Sequence, residues 1–183
     1  MLLYTFQPAE VVEKLMRDGQ HVTNSEKSIP EFNFAYDFLS NYMREKIGGV
    51  EDVKYPVWAW QKWEDEKPSI EKLGSSAGIP GQELALLTLD VPEDEVVLSD
   101  FDRWSLVICD CLLSNSEEED DRINAEYEAL PENQQEEYKR QNWRRCFDIE
   151  KVDNDWVSCG HSIQATFWVL KKEYVKNIEY FTV

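Results

Sequence analysis

Trp58 and Trp60 stand two residues apart in the run Tyr55-Pro56-Val57-Trp58-Ala59-Trp60-Gln61-Lys62-Trp63, and two residues is the repeat of a β-strand. Both indoles therefore point to one face of that strand. Rings of this size are either core or the walls of a pocket, where stacking surface combines with a few fixed polar groups. The run Ile163-Gln164-Ala165-Thr166-Phe167-Trp168-Val169-Leu170 alternates in the same way. It places Ile163, Ala165 and Phe167 on an apolar face and Gln164, Thr166 and Trp168 on a mixed polar and aromatic one.

Shorter strands are expected over Leu2 to Phe6, over Leu84 to Val91 with a stop at Pro92, over Val96 to Leu98, and in a turn and strand from Tyr174 to Phe181. Helical spacing starts at Pro8 with Val11, Val12, Leu15 and Met16 and stops at Gly19. A second helix starts near Pro30, carries Phe34, Phe38 and Tyr42 with Ala35, Leu39 and Met43 beside them, and ends at Gly48-Gly49. Ser99 or Asp100 caps a third, which carries Trp104, Leu106, Val107, Ile108 and Leu112. The stretch from Asp65 to Gln82, rich in Gly, Ser, Pro and charge, reads as a mobile loop.

From Glu117 to Glu137 ten acidic residues face one basic residue, Arg122. Ser116 ahead of them is an N-cap with an acid-rich first turn, which the helix dipole favours. Pro131 opens a further helix to about Arg145, with Trp143, Cys146 and Phe147 anchoring its end. These patterns predict a single α+β domain over residues 1–183, with a central, mostly antiparallel sheet, flanking helices and an acidic helical insertion at about 115–146.

Composition narrows the function classes. The 19 Lys+Arg against 37 Asp+Glu give a net charge of −18, which argues against binding a phosphate backbone. Aromatics at 13% argue against disorder, and no stretch approaches the ~18 apolar residues of a membrane span. The opening Met1-Leu2-Leu3-Tyr4 has no basic n-region, so a cytoplasmic protein is expected, with Cys109, Cys111, Cys146 and Cys159 as reduced thiols. Cys109-Asp110-Cys111 has the wrong spacing for zinc, and Cys159-Gly160-His161 has only His21 to complete a ligand set, so no metal is expected. On one strand, Cys159 and His161 would share a face without an orienting partner. Residues 117–121 lack the glycine and alternating oxygens of a calcium loop. The spacing of Gly74, Gly78 and Gly81 does not make a phosphate loop.

The candidate site is therefore a Trp-lined pocket for a flat, nucleotide-like small molecule. Trp58 and Trp60 supply stacking faces, with Trp168 on the polar side of its strand. Tyr4, Thr5, Gln7 and Gln164 supply hydrogen bonds, and Asp100 either holds a hydroxyl or caps a helix. The rival is a non-catalytic interaction protein whose acidic helices bind a basic protein partner or mimic nucleic acid.

Leu3-Tyr4-Thr5 with Gln7, the Tyr55 to Trp60 run, Leu98-Ser99-Asp100-Phe101-Asp102-Arg103-Trp104 and Ile163 to Trp168 resemble a bacterial family described as domain of unknown function 3841. That resemblance covers nearly the whole chain and implies no chemistry. The order of elements, ending in a strand followed by Glu173-Tyr174-Val175-Lys176-Asn177-Ile178, more distantly resembles small ADP-ribosyltransferases of the DarT type. That second resemblance implies NAD as cosubstrate and a glutamate on the terminal strand, near the developing oxocarbenium centre. The matching run here is Gln164-Ala165-Thr166, with Thr where Glu is expected and Tyr4-Thr5 where a first-strand His or Arg is expected. Either Gln164 or an acid such as Glu83 then takes the catalytic role, or the fold binds a nucleotide without transferring it.

Overall fold

The computed structural model describes residues 1–23 and 30–183. Strand β1 (Leu2–Pro8) runs into helix α1 (Ala9–Asp18), followed by β2 (Gln20–His21). Gly19 ends α1 in the left-handed region at φ 86°, its N–H donating to the Leu15 carbonyl, a conformation that favours glycine. Next come α2 (Asn33–Ile47), β3 (Val57–Lys62), α3 (Ile70–Leu73), β4 (Glu83–Asp90) and β5 (Val97–Asp100). The helices α4 (Phe101–Ile108), α5 (Glu117–Ala129) and α6 (Glu132–Trp143) follow. The chain closes with β6 (Val152–Asp153), β7 (Ser158–Cys159), β8 (Ile163–Phe167), β9 (Leu170–Lys171) and β10 (Val175–Thr182).

Six strands form one antiparallel sheet in the order β10-β4-β1-β3-β8-β5. With the six helices they make a single α+β domain, as the two periodicities predict. One face is mainly aliphatic: Leu3, Val57, Ala59, Leu87, Leu89 and Ala165, with Phe167, pack against Val12 and Leu15 of α1. On the other face Val97 and Trp168 meet Phe38, Leu39 and Met43 of α2, Trp104 and Val107 of α4, and Trp143 of α6. Alternation along β3 and β8 thus sorts Val57, Ala59, Ala165 and Phe167 to one side and Trp58, Trp60, Gln164 and Thr166 to the other.

The acidic helices are bound into this second core. Glu119 forms a forked pair with Arg145 at 2.9–3.0 Å and accepts the Asn115 N–H at 2.6 Å. Glu126 accepts from Arg122 and from the Tyr138 hydroxyl, both at 2.7 Å. Trp143 is fully buried and donates its indole N–H to the Cys111 carbonyl at 2.8 Å. Cys146 is also fully buried, and burial pushes its thiol far above the ordinary value, which keeps it protonated and inert. No helix among the described residues is long and apolar enough to cross a membrane.

Four local expectations need correction. The segment from Asp65 to Gln82 contains α3, capped by the Ser69 hydroxyl, and a 3-10 turn over Gly74–Ser76. Helix α4 stops at Ile108 without reaching Leu112, because the Cys111 N–H turns back to the Leu106 carbonyl and Asp110 takes φ 61°. The terminal strand breaks after Phe167, and Leu170 belongs instead to the short β2–β9 pair. Cys159 and His161 do not share a strand. Gly160 bends the chain between them at φ 82°, where a Cβ would fall 2.6 Å from the Lys151 Cα.

Candidate functional site

Cross-strand register places the candidate residues on one rung of the sheet. Tyr4 lies opposite Trp60, Trp60 opposite Gln164, and Gln164 opposite Ser99. Residues directly opposite in antiparallel strands project from the same face, so the four side chains stand in a row across β1, β3, β8 and β5. Two polar atoms on that row have no partner among the described residues: the Gln164 Oε1 and the Ser99 Oγ are buried and make no hydrogen bond there. Each such atom costs about 1–3 kcal/mol, and two side by side call for a physical reason.

A cavity of about 210 Å³ lies against this row. Trp58, Trp60 and Gln164 form one side, with Thr5 and Phe6 from β1, while Leu73, Ser76 and Ala77 from α3 and its following turn form the other. The pairing of β1 with β3 is confined to Tyr4 and Trp60, and the cavity lies on the Thr5 side of that pair. There the Thr5 hydroxyl donates to the Trp58 carbonyl at 2.7 Å, and the Gln7 amide donates to the Thr5 hydroxyl at 2.8 Å.

Both indoles are fixed by other rings. Trp58 packs on Trp104 at 5.3 Å between centroids and edge-on to Tyr36 at 6.3 Å. Burial raises the pKa of the Tyr36 hydroxyl, so it is neutral at physiological pH. Trp60 stands edge-on to Trp63 at 4.9 Å and to Phe101 at 5.3 Å. Preorganised aromatic walls of this kind suit a flat ligand, because no side chain has to be ordered on binding.

The structure therefore brings Thr5, Trp58, Trp60 and Gln164 to one cavity, with Gln7 behind Thr5. Tyr4 shares the rung but lies buried with the Lys67 ammonium 5.2 Å over its ring. The other three candidates stand elsewhere. Asp100 is fully buried and accepts the Arg103 N–H at 2.8 Å and the Gly160 N–H at 2.6 Å, capping α4 and holding the turn before β8. Trp168 donates to the Gly48 carbonyl at 2.7 Å, closing the end of α2 beneath the Arg44 guanidinium. Glu83 is exposed at the start of β4, opposite Thr182 of β10.

Four contributors escaped the sequence patterns. Leu73, Ser76 and Ala77 sit in the stretch taken for a loop, although Ser69 ahead of Ile70 is a legible N-cap. Ser99 was legible only as an alternative cap. A larger cavity, about 530 Å³, lies under Leu106, Tyr127 and Trp156. Its polar groups are engaged: Lys139 with Asp110, Asp120 with Ser114 and Asn124, and the Trp156 indole with Ser114. Among the described residues no group of three or more His, Cys, Asp or Glu is placed to hold a metal ion.

A family model described as a domain of unknown function (DUF3841) matches residues 2–176, nearly the whole chain, and the chain belongs to that family. No curated protein and no solved structure matches it.

Proposed function

We propose that this member of the DUF3841 family binds a flat heteroaromatic ring bearing an N–H donor, of the nucleobase or nicotinamide class, between Trp58 and Trp60. The observation that carries the proposal is Gln164, a residue of the cavity wall whose carboxamide oxygen is buried without a donor. A ring N–H or exocyclic amide toward which the carboxamide turns removes the penalty of that unsatisfied acceptor while the indoles take up the ring faces.

Size limits what enters. The cavity, at about 210 Å³, falls below the roughly 300–1,000 Å³ of sites that enclose drug-sized ligands. It suits one ring system, with any sugar or phosphate left outside, and it does not suit a whole dinucleotide such as NAD. Its wall consists of apolar, hydroxyl and amide groups, and Glu83 lies away from it. Cleavage of a glycosidic bond needs a carboxylate beside the developing oxocarbenium ion, so we assign binding and no ADP-ribosyl transfer.

Thermal denaturation with adenine, uracil, nicotinamide and their ribonucleosides tests the assignment. A ligand at about ten times its Kd stabilises by roughly 1.4 kcal/mol, or roughly 3–5 °C in a domain of this length. Gln164→Met keeps the side-chain length without the acceptor and should abolish the shift. An unchanged melting temperature with every ligand, or an equal shift in Gln164→Met, overturns the proposal.

A further inference from the structure

Beyond Trp60 a further cavity of about 430 Å³ opens, walled by Trp63 and Phe101 and edged by Glu64, Asp102, Asp153 and His161. The two rings pack at 5.4 Å with a 60° tilt, and both are half-buried. Trp63 opens a two-residue hairpin turn, exchanging both backbone hydrogen bonds with Glu66 at 2.9 Å. Glu64 and Asp65, its central residues, take φ 48° and 63°, as such a turn requires of both positions.

The surroundings here are explicit. The Asp65 N–H donates to the His161 carbonyl at 2.8 Å and the Glu64 N–H to the Ser162 hydroxyl at 3.0 Å. The Asp65 carboxylate receives Lys62 at 2.9 Å, Lys151 at 2.6 Å and the His161 Nδ1 at 2.6 Å. The second ring nitrogen of His161 faces Asp153 at 2.9 Å. Lys62, Lys151 and His161 are thus engaged by Asp65, Asp153 and the Gly160 carbonyl.

Two carboxylates remain over. Glu64 and Asp102 accept no side-chain hydrogen bond and form no ion pair with any described residue. The Asp102 carboxyl is pushed up by partial burial and by the neighbouring Asp100 carboxylate, against a smaller opposing effect of His161. A phosphate or carboxylate ligand would meet like charge in this cavity. A bare divalent cation would need six or more oxygens and would make no use of the rings. An organic cation uses both: its charge answers the carboxylates, and its polarised N–H and C–H groups lie on aromatic faces.

We propose that this cavity binds an organic cation of the alkylammonium or guanidinium class, with Asp102 and Glu64 as charge partners and Trp63 and Phe101 as apolar walls. The site is separate from the ring cavity and stands or falls without it.

Titration of the full chain with spermidine and with Nα-acetyl-arginine methylamide, read by calorimetry and by Trp fluorescence, tests the site. The first probe represents a free polyamine and the second a protein side chain, and the tighter of the two identifies the source. Saturable binding is expected for at least one, weakened about tenfold, or 1.4 kcal/mol, by Asp102→Asn and comparably by Trp63→Leu. Glu118→Gln removes one negative charge from the exposed surface of α5 and should leave the affinity unchanged. Gln164→Met should do the same, which keeps this test distinct from that of the ring cavity. Absence of saturable binding by either probe overturns the proposal. So does an equal loss in Asp102→Asn and Glu118→Gln, which would mark attraction by net charge alone.

Discussion

Gln164 and Trp168 are four residues apart on one segment and share its ring-bearing face, yet their polar atoms have opposite fates. The Trp168 indole N–H donates to the Gly48 carbonyl at 2.7 Å, while the Gln164 Oε1 is buried with no donor. Alternation alone makes the two equivalent. What separates them is the neighbour each meets: the end of α2 in one case, and in the other a cavity wall that supplies no donor. A polar group on a buried face is structural when the fold completes its hydrogen bonds, and a site candidate when the fold leaves them incomplete.

The comparison breaks most visibly at the most completely satisfied position. Asp100 accepts two backbone N–H groups while fully buried, combining an N-cap with charge-assisted hydrogen bonds. Asp100→Ala should lower the unfolding free energy by about 3 kcal/mol in urea. A loss well under 1 kcal/mol would mean that the cap and the Gly160 turn find other partners.

Trp168→Phe comes next. The ring still fills the core, but the Gly48 carbonyl loses its donor and the Arg44 guanidinium loses its better π-face. A destabilisation of about 1–2 kcal/mol is expected by equilibrium unfolding. Gln164→Met should show the opposite pattern: stability unchanged, or raised by up to about 1 kcal/mol, because an unsatisfied acceptor leaves the wall of the cavity. If Gln164→Met destabilises the chain as much as Trp168→Phe does, Gln164 has a structural partner and the distinction between the two residues fails.

This contrast also explains how much was legible beforehand. Strand period placed Trp58 with Trp60 and Gln164 with Thr166, and helical spacing with cap signals placed α1, α2, α4 and α5, because those signals are local. The partner of a given strand residue is not local. That Tyr4, Trp60, Gln164 and Ser99 form one rung depends on pairing between β1, β3, β8 and β5, strands that lie far apart along the chain. The roles of Asp100 and Trp168 were ambiguous for the same reason, since Gly160 and Gly48 are remote from them in sequence. The other side of the ring cavity was missed because α3 is one turn long, too short for periodicity to reveal, and only Ser69 marks it.

The smallest expected effect lies at His161, where satisfaction is complete and measurable by titration. Its two ring nitrogens face Asp65 at 2.6 Å and Asp153 at 2.9 Å, and these hydrogen bonds, Asp65 first, raise its pKa above the ordinary 6.5. Lys62 and Lys151 also bind Asp65, which holds that carboxyl far below the usual range, so both carboxylates remain ionised across the transition. A group whose folded pKa lies above its unfolded value binds more protons in the folded state. Its contribution to stability is therefore fully present below about pH 6.5 and is lost as pH rises through the folded value. The ring is exposed enough for water to screen the interaction, so the effect on stability is small and the direct observable is the imidazole itself. An NMR titration should place His161 above the ordinary value, and Asp153→Asn should move it back down while leaving the His21 signal in place. A His161 that titrates at its ordinary value in the parent chain would show that neither carboxylate holds it. The turn at Glu64 and Asp65 would then lose one of the contacts that keep two side-chain-bearing residues in the left-handed region.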